Sequence, residues 1–185
     1  MKHLKLYERF DENDPFGEEI EYIKPTFLSW LKKKCPDDNI WNKIIEVSFS
    51  NNQLTSLEGI ENLVNLKILD CNSNQLTSLE GIENLVNLKV LSCSNNLLNS
   101  LEGIEDLVNL NLLDCSRNHL TNIEEIENLV NLEYLYCNNN QLNSLEGIEN
   151  LVNLIYLGCW DNQFTIEYGN YLRNYCDEKN IRLII

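Results

Sequence analysis

Self-similarity decides what this chain can become. Residues 66–87 read LKILDCNSNQLTSLEGIENLVN, and residues 88–109, 110–131 and 132–153 repeat that unit with few changes. Residues 44–65 are the same unit with a rougher start, and 154–175 begin faithfully before diverging. Five full copies and one terminal half, in register at 22 residues, specify an array in which each unit contacts only its neighbours. One such unit cannot bury both faces of a core. Stacked copies can.

The pattern inside the unit sets its shape. In L-x-x-L-x-C the last two apolar positions alternate as a half-buried strand does. The next apolar residues, Leu76, Leu79, Ile82 and Leu85 in the second copy, are spaced by three, which suits a tight turn or 3₁₀ segment. Copies stacked at about 4.8 Å in a parallel sheet give a short curved solenoid with its strands on the concave side. With Leu66, Leu69, Cys71 and Asn74, these residues resemble the leucine-rich repeat family in its 22-residue class, that of bacterial internalins and a protein-phosphatase regulatory subunit. The resemblance covers roughly residues 44–164. It implies an α/β repeat solenoid: a parallel concave sheet, a 3₁₀ or irregular convex side, and helical caps. Two departures stand out: cysteine or Phe49 replaces the third leucine, and Glu125 replaces the repeat glycine.

A solenoid end is a bare core and needs a cover. Three regions follow: an N-terminal extension and cap over 1–43, repeats over 44–164, and a C-terminal cap over 165–185. PTFLSWLKKKC (25–35) reads as a short helix with Thr26 as N-cap and Phe27, Trp30 and Leu31 inward. DDNIWNKI (37–44) reads as a second helix capped by Asp37 or Asp38, and about residues 1–16 as mobile. TIEYGNYLRNYCDEKN (165–180) reads as a helix. Ile181–Ile185 reads as an edge strand on which Arg182 discourages further pairing.

Two ladders run along the array. Asn52, Asn74, Asn96, Asn118, Asn140 and Asn162 each follow a strand, where an amide can donate to and accept from a turning backbone. This ladder is read as structural. Cys71, Cys93, Cys115, Cys137 and Cys159 are read as small apolar core residues rather than a disulfide framework. Cys35 and Cys176, outside the repeats, are expected to react sooner with thiol reagents.

Catalytic groups are scarce. The two histidines are His3, near the terminus, and His119 in the fourth copy. No G-x-G-x-x-G, G-x-x-x-x-G-K-[ST], H-E-x-x-H or C-x-x-C occurs. Cys115 and His119 do not make a pair, because one points inward and the other out of the next turn. No enzyme activity, cofactor or metal is expected. Acidic residues number 29 and basic residues 14, a net charge of −15, which opposes binding to nucleic acid or an anionic membrane. No apolar run is long enough to span a bilayer and no secretory leader is recognisable, so a reducing cytoplasm is the expected location. Alanine is absent, and asparagine and leucine make up about a third of the chain. Such bias suits a viral genome, in which case the location is the host cytoplasm.

Glutamates such as Glu58 and Glu61, Glu80 and Glu83, Glu102 and Glu105 recur at fixed positions and are read as a solvated convex face. Partner information lies where copies differ. Four concave columns are read from the strand alternation. They run Glu46, Ile68, Val90, Leu112, Tyr134, Tyr156; then Ser48, Asp70, Ser92, Asp114, Tyr136, Gly158; then Ser50, Asn72, Ser94, Ser116, Asn138, Trp160; and at the rim Asn51, Ser73, Asn95, Arg117, Asn139, Asp161. The first is apolar from Ile68 onward, and Tyr134, Tyr136, Tyr156 and Trp160 converge at its late end. With Asp114 and Arg117 as polar rim, the expected function is a non-enzymatic scaffold that binds a protein or peptide on its concave face. Leucine-rich repeat relatives commonly act this way. Monomer or weak homodimer is the expected state. The alternatives are a sugar- or calcium-binding adhesion protein and a self-associating structural protein.

Overall fold

The computed structural model describes the backbone of Leu4–Tyr7 and all of residues 26–185. Among them, eight parallel strands form one open sheet in sequence order. These are β1 (Leu4–Tyr7), β2 (Ile44–Ser48), β3 (Ile68–Asp70), β4 (Val90–Ser92), β5 (Leu112–Asp114), β6 (Tyr134–Tyr136), β7 (Tyr156–Gly158) and β8 (Arg182–Ile184). Helix α1 (Phe27–Lys34) precedes β2, and α2 (Ile166–Lys179) precedes β8. From β2 to β7 the strands pair with a shift of 22 residues, Glu46 opposite Ile68 and so on to Tyr134 opposite Tyr156.

The framework leucines are the core. Leu66, Leu69, Cys71, Leu76, Leu79, Ile82 and Leu85 are all buried, as are their counterparts in each full copy, and they form one continuous cluster. Spacing by three produces 3₁₀ turns at Ile60–Asn62, Ile82–Asn84, Glu124–Ile126 and Ile148–Asn150. Gly59 shows why a glycine opens this turn. Its φ is +95°, and a Cβ there would lie 2.8 Å from Leu28 of α1. In the fourth copy the turn begins at Glu124 instead, and the Glu125 carboxylate reaches back to accept from the Leu101 N–H at 3.2 Å.

The asparagine ladder stitches copies together. Asn96 is typical: Oδ1 accepts from the Leu76 N–H of the preceding copy at 3.0 Å, and Nδ2 donates to the carbonyls of Cys71 and Cys93 at 3.0 and 3.1 Å. Asn74, Asn118 and Asn140 do the same, and all four are buried. A second ladder went unread in the sequence. Asn87, Asn109, Asn131 and Asn153 each donate to a carbonyl one copy earlier, and Asn65 to that of Asn42 in the cap, at 2.8–3.1 Å.

Both caps are built from aromatics. Thr26 caps α1, accepting from the Ser29 N–H, and Phe27 and Trp30 pack on Phe49 with ring centroids 4.9 and 5.6 Å away. Phe49 stands in the cysteine position because this copy faces a cap instead of another narrow repeat. The second N-terminal helix is a 3₁₀ helix over Asp38–Lys43, capped by Asp37. At the other end, α2 is capped by Thr165, and its tyrosines meet the backbone of the last full copy. Tyr168 Oη accepts from the Leu145 N–H at 2.7 Å, and Tyr175 Oη donates to the Ile148 carbonyl at 3.3 Å.

Two expectations need correction. Leu4–Tyr7, placed in a mobile start, is a strand paired in parallel with β2. The rest of that start, with His3, lies outside the described residues. Cys35 and Cys176 are not accessible: they are 5% and 0% exposed.

Candidate functional site

The strand register lines up the first two variable columns in the order read from the sequence, Glu46 opposite Ile68 through to Tyr156 and Ser48 opposite Asp70 through to Gly158. In the first, Ile68, Val90, Leu112 and Tyr156 are half-buried and Tyr134 is exposed. Main-chain pairing on both sides fixes these strands, so their side chains leave the sheet at defined points about 4.8 Å apart.

The polar columns are largely engaged within the sheet. Ser48 Oγ donates to Asp70 at 2.8 Å, and the same carboxylate accepts from the Asn72 N–H at 3.2 Å. Asn72 Oδ1 in turn accepts from Ser94 N–H and Oγ at 2.7 and 2.9 Å. Asp114 accepts from Ser116 N–H and Oγ at 3.1 and 2.6 Å. Ser116 and Asn138 of the third column are buried, so they belong to this internal network. The rim column is a backbone feature. Asn51, Ser73, Asn95, Arg117, Asn139 and Asp161 all have φ between +53° and +59°. Asparagine and aspartate adopt this left-handed region readily, whereas Ser73 and Arg117 hold it at some cost.

The aromatics gather over Gly158. Tyr136 and Tyr156 have ring centroids 4.8 Å apart. A Cβ on Gly158 would lie 2.9 Å from Trp160 Cζ3, 3.2 Å from Tyr156 and 3.5 Å from Tyr136. The missing side chain therefore lets three rings settle together on the sheet. Arg182, from β8, lies over the Tyr156 ring with its guanidinium carbon 5.8 Å from the centroid. Burial raises the Tyr136 phenol above its ordinary pKa. Tyr156, Asp114 and Tyr134 add to this and Arg182 opposes it, so the hydroxyl stays protonated at neutral pH. Sequence reasoning found Tyr134, Tyr136, Tyr156 and Trp160 but missed Gly158 and Arg182. The break in the second column at Gly158 was the available signal.

The convex face is different in kind. Glu61, Glu83 and Glu105 accept from the N–H groups of Gly59, Gly81 and Gly103 at 2.8–2.9 Å, so part of this acidic column closes turns. A groove of about 600 Å³ runs past Glu80, Glu83, Glu102 and Glu105. Among the described residues, no group of three or more His, Cys, Asp or Glu side chains is placed to hold a metal ion. None of the described helices is long and apolar enough to cross a membrane. His119 is exposed, while the Cys115 thiol is buried and donates to the Tyr136 carbonyl at 3.4 Å.

A stacked parallel sheet, 3₁₀ turns and an asparagine ladder at a 22-residue period define a leucine-rich repeat solenoid. A family model described as leucine-rich repeats (2 copies) matches residues 43–84, so this chain contains leucine-rich repeats. Its fold is similar to that of internalin InlF from Listeria monocytogenes, at 26% identity and TM-score 0.68, over 77% of this chain and 41% of that one. It is also similar to a leucine-rich repeat protein of Leptospira interrogans, at 30% identity and TM-score 0.73, over 78% of this chain and 38% of that one. The functional domain of InlJ from Listeria monocytogenes, which includes a cysteine ladder, aligns at 29% identity and TM-score 0.65, over 69% of this chain and 28% of that one. This chain thus spans less than half the length of each of these three. No curated protein matches it.

Proposed function

We propose that this protein is a non-enzymatic scaffold that binds a protein or peptide partner on its concave face, chiefly through Tyr134, Tyr136, Tyr156 and Trp160. Ile68, Val90 and Leu112 extend the contact along the first column, with Asp114 and Arg117 as its polar rim. One observation carries this reading. The repeat framework is nearly invariant, yet its concave columns turn from polar and aliphatic to aromatic over β6 and β7, where the described chain leaves Tyr134 36% exposed. Tyrosine and tryptophan give large contact area at small entropic cost. We further propose that the protein works in the cytoplasm, the host's if it is viral, as a monomer or weak homodimer. Its seven cysteines, all free thiols, support a reducing compartment.

The test is capture of a partner followed by titration of variants with retained circular dichroism. Tyr136→Ala and Trp160→Ala should each weaken binding by about 2 kcal/mol or more. Glu80→Lys and Glu102→Lys on the convex face should change it far less. Loss of affinity in the convex variants alone would move the site to the acidic face and refute the proposal.

A further inference from the structure

Unmet charge is unevenly spread over the concave surface. Asp70 and Asp114 each already accept two hydrogen bonds from neighbouring serine or asparagine groups. At the C-terminal end two guanidinium groups are open, beside the exposed carboxylate of Asp161. Arg182 lies over Tyr156, its guanidinium carbon 5.8 Å from the ring centroid. Arg173, exposed on α2, borders a pocket of about 290 Å³ whose apolar walls include Trp160, Phe164, Ile166 and Ile185. Neither guanidinium has a carboxylate partner among the described residues. Trp160 belongs both to this pocket and to the ring cluster over Gly158, so the two are continuous.

Ile166 supplies a second, independent observation. It stands in the first turn of α2, lines the pocket and is 85% exposed, the largest value among the exposed large apolar side chains. Neither the cap nor the core uses it. An apolar side chain offered to water beside an aromatic wall fits an apolar occupant. Asp161, which also lines the pocket, is an acceptor suited to a peptide N–H.

We infer that this end of the concave face takes an acidic peptide segment: carboxylates pair with Arg182 and Arg173, and an aromatic or branched side chain fills the pocket beside Trp160 and Ile166. The inference rests on the concave-face reading and narrows it to one ligand chemistry. Guanidinium and carboxylate match as planar bidentate partners, a fit that a lysine would not supply. The chain's net charge of −15 opposes an acidic partner at long range. The screening length at physiological salt is about 8 Å, so the glutamates of the convex face act weakly here and the contacts at the arginines decide. A kinetic consequence follows. Added salt should raise the association rate constant, whereas a basic partner would associate more slowly as salt rises.

Selection of short random peptides from a displayed library, on the full chain, tests this. The enriched sequences should be net acidic with at least one aromatic or leucine-like residue. A synthetic consensus peptide should lose about tenfold or more in affinity to Arg173→Glu, Arg182→Glu and Ile166→Asp, and keep it with Lys67→Glu. Enriched peptides that are neutral or basic, or that bind both arginine variants as tightly as wild type, overturn the inference. If those peptides still lose affinity to Tyr136→Ala, the concave-face function survives without its acidic ligand. Peptides indifferent to Tyr136→Ala, Trp160→Ala and both arginine variants overturn the two together. A library that yields no enriched sequence also overturns the inference, because an anchor of this kind is short and linear.

Discussion

Replacing Asn96 with alanine isolates what one rung of the buried ladder contributes. Its amide touches four backbone groups in two copies: the Leu76 N–H and the carbonyls of Cys71, Cys93 and Ser94. These are not equally dependent on it. The Cys71 carbonyl also accepts from Asn74 Nδ2 at 3.0 Å, the Cys93 carbonyl from Asn118 Nδ2 at 3.1 Å, and the Ser94 carbonyl from the Ser73 N–H at 2.9 Å. The Leu76 N–H has Asn96 Oδ1 as its acceptor, and Leu76 is buried. The substitution therefore strands one buried donor, a loss of about 1–3 kcal/mol, and thins the donors around three carbonyls. We expect Asn96→Ala to destabilise the fold by about 2–3 kcal/mol, or about 4–12 °C in Tm for a chain of this size. The assay is urea unfolding followed by circular dichroism, with Asn87→Ala as control. Asn87 is exposed and donates to a single carbonyl, so its loss should fall below about 1 kcal/mol. Equal destabilisation by the two variants, or none by Asn96→Ala, would refute the buried-donor argument.

Two further outcomes follow from burial and from the C-terminal cap. Burial, before any charge effect, pushes the thiols of Cys71, Cys93, Cys115 and Cys137 well up, Cys159 to about 12 and Cys176 to about 11. A chromogenic disulfide at pH 8 should therefore find no fast thiol in the native protein and seven after denaturation; rapid native labelling of Cys93 would break the strand register. The phenols of Tyr171, Tyr168 and Tyr175 all lie above their ordinary pKa, Tyr171 chiefly through its hydrogen bond to Glu149 and the other two through burial. The folded state then holds these protons more tightly than the unfolded chain, so their contribution is full below about pH 10 and is lost as pH rises beyond it. Denaturant titrations should show stability falling from about pH 8.5, where the unfolded thiols ionise while the buried ones stay protonated, and falling further above about 10 as the phenols join; the fall above 10 should be less steep in Tyr171→Phe, and an unchanged slope in that variant would remove Tyr171 from the account.

How much was legible in the sequence follows from the range of each interaction. The core, the 3₁₀ turns and the concave columns rest on spacings of two, three and 22 residues, which a repeating chain displays openly. N-caps are local too, so Thr26 could be found and Asp37 bracketed. β1 could not: LKLY carries no turn signal, and its partner β2 lies some forty residues on. The tyrosines of α2 looked like an ordinary helix face. Their hydroxyls acquire meaning only when Leu145, Ile148 and Glu149 are brought beneath them. Glu61, Glu83 and Glu105 recur two residues after a glycine, but spacing alone does not distinguish a carboxylate that closes a turn from one that is merely solvated.

The same distinction narrows where this protein is free to vary. A ladder asparagine must meet backbone on two copies, and a rim residue must accept a positive φ, so neither can change cheaply to suit a partner. The third column is partly closed as well, since Ser116 and Asn138 are buried in the polar network. Column one remains, with the C-terminal members of column two that lie outside the polar network, together with the caps that no repeat constrains. It is there that the chain departs from its own pattern: tyrosines at 134, 136 and 156, a glycine at 158 on which rings converge, and arginines at 173 and 182 supplied by the C-terminal cap. A substitution in these places disturbs few framework bonds, so side chains there can answer to recognition instead of folding. Tyr136→Ala should accordingly cost little stability beyond its own packing against Tyr156, while Asn96→Ala costs stability and leaves the concave surface unaltered.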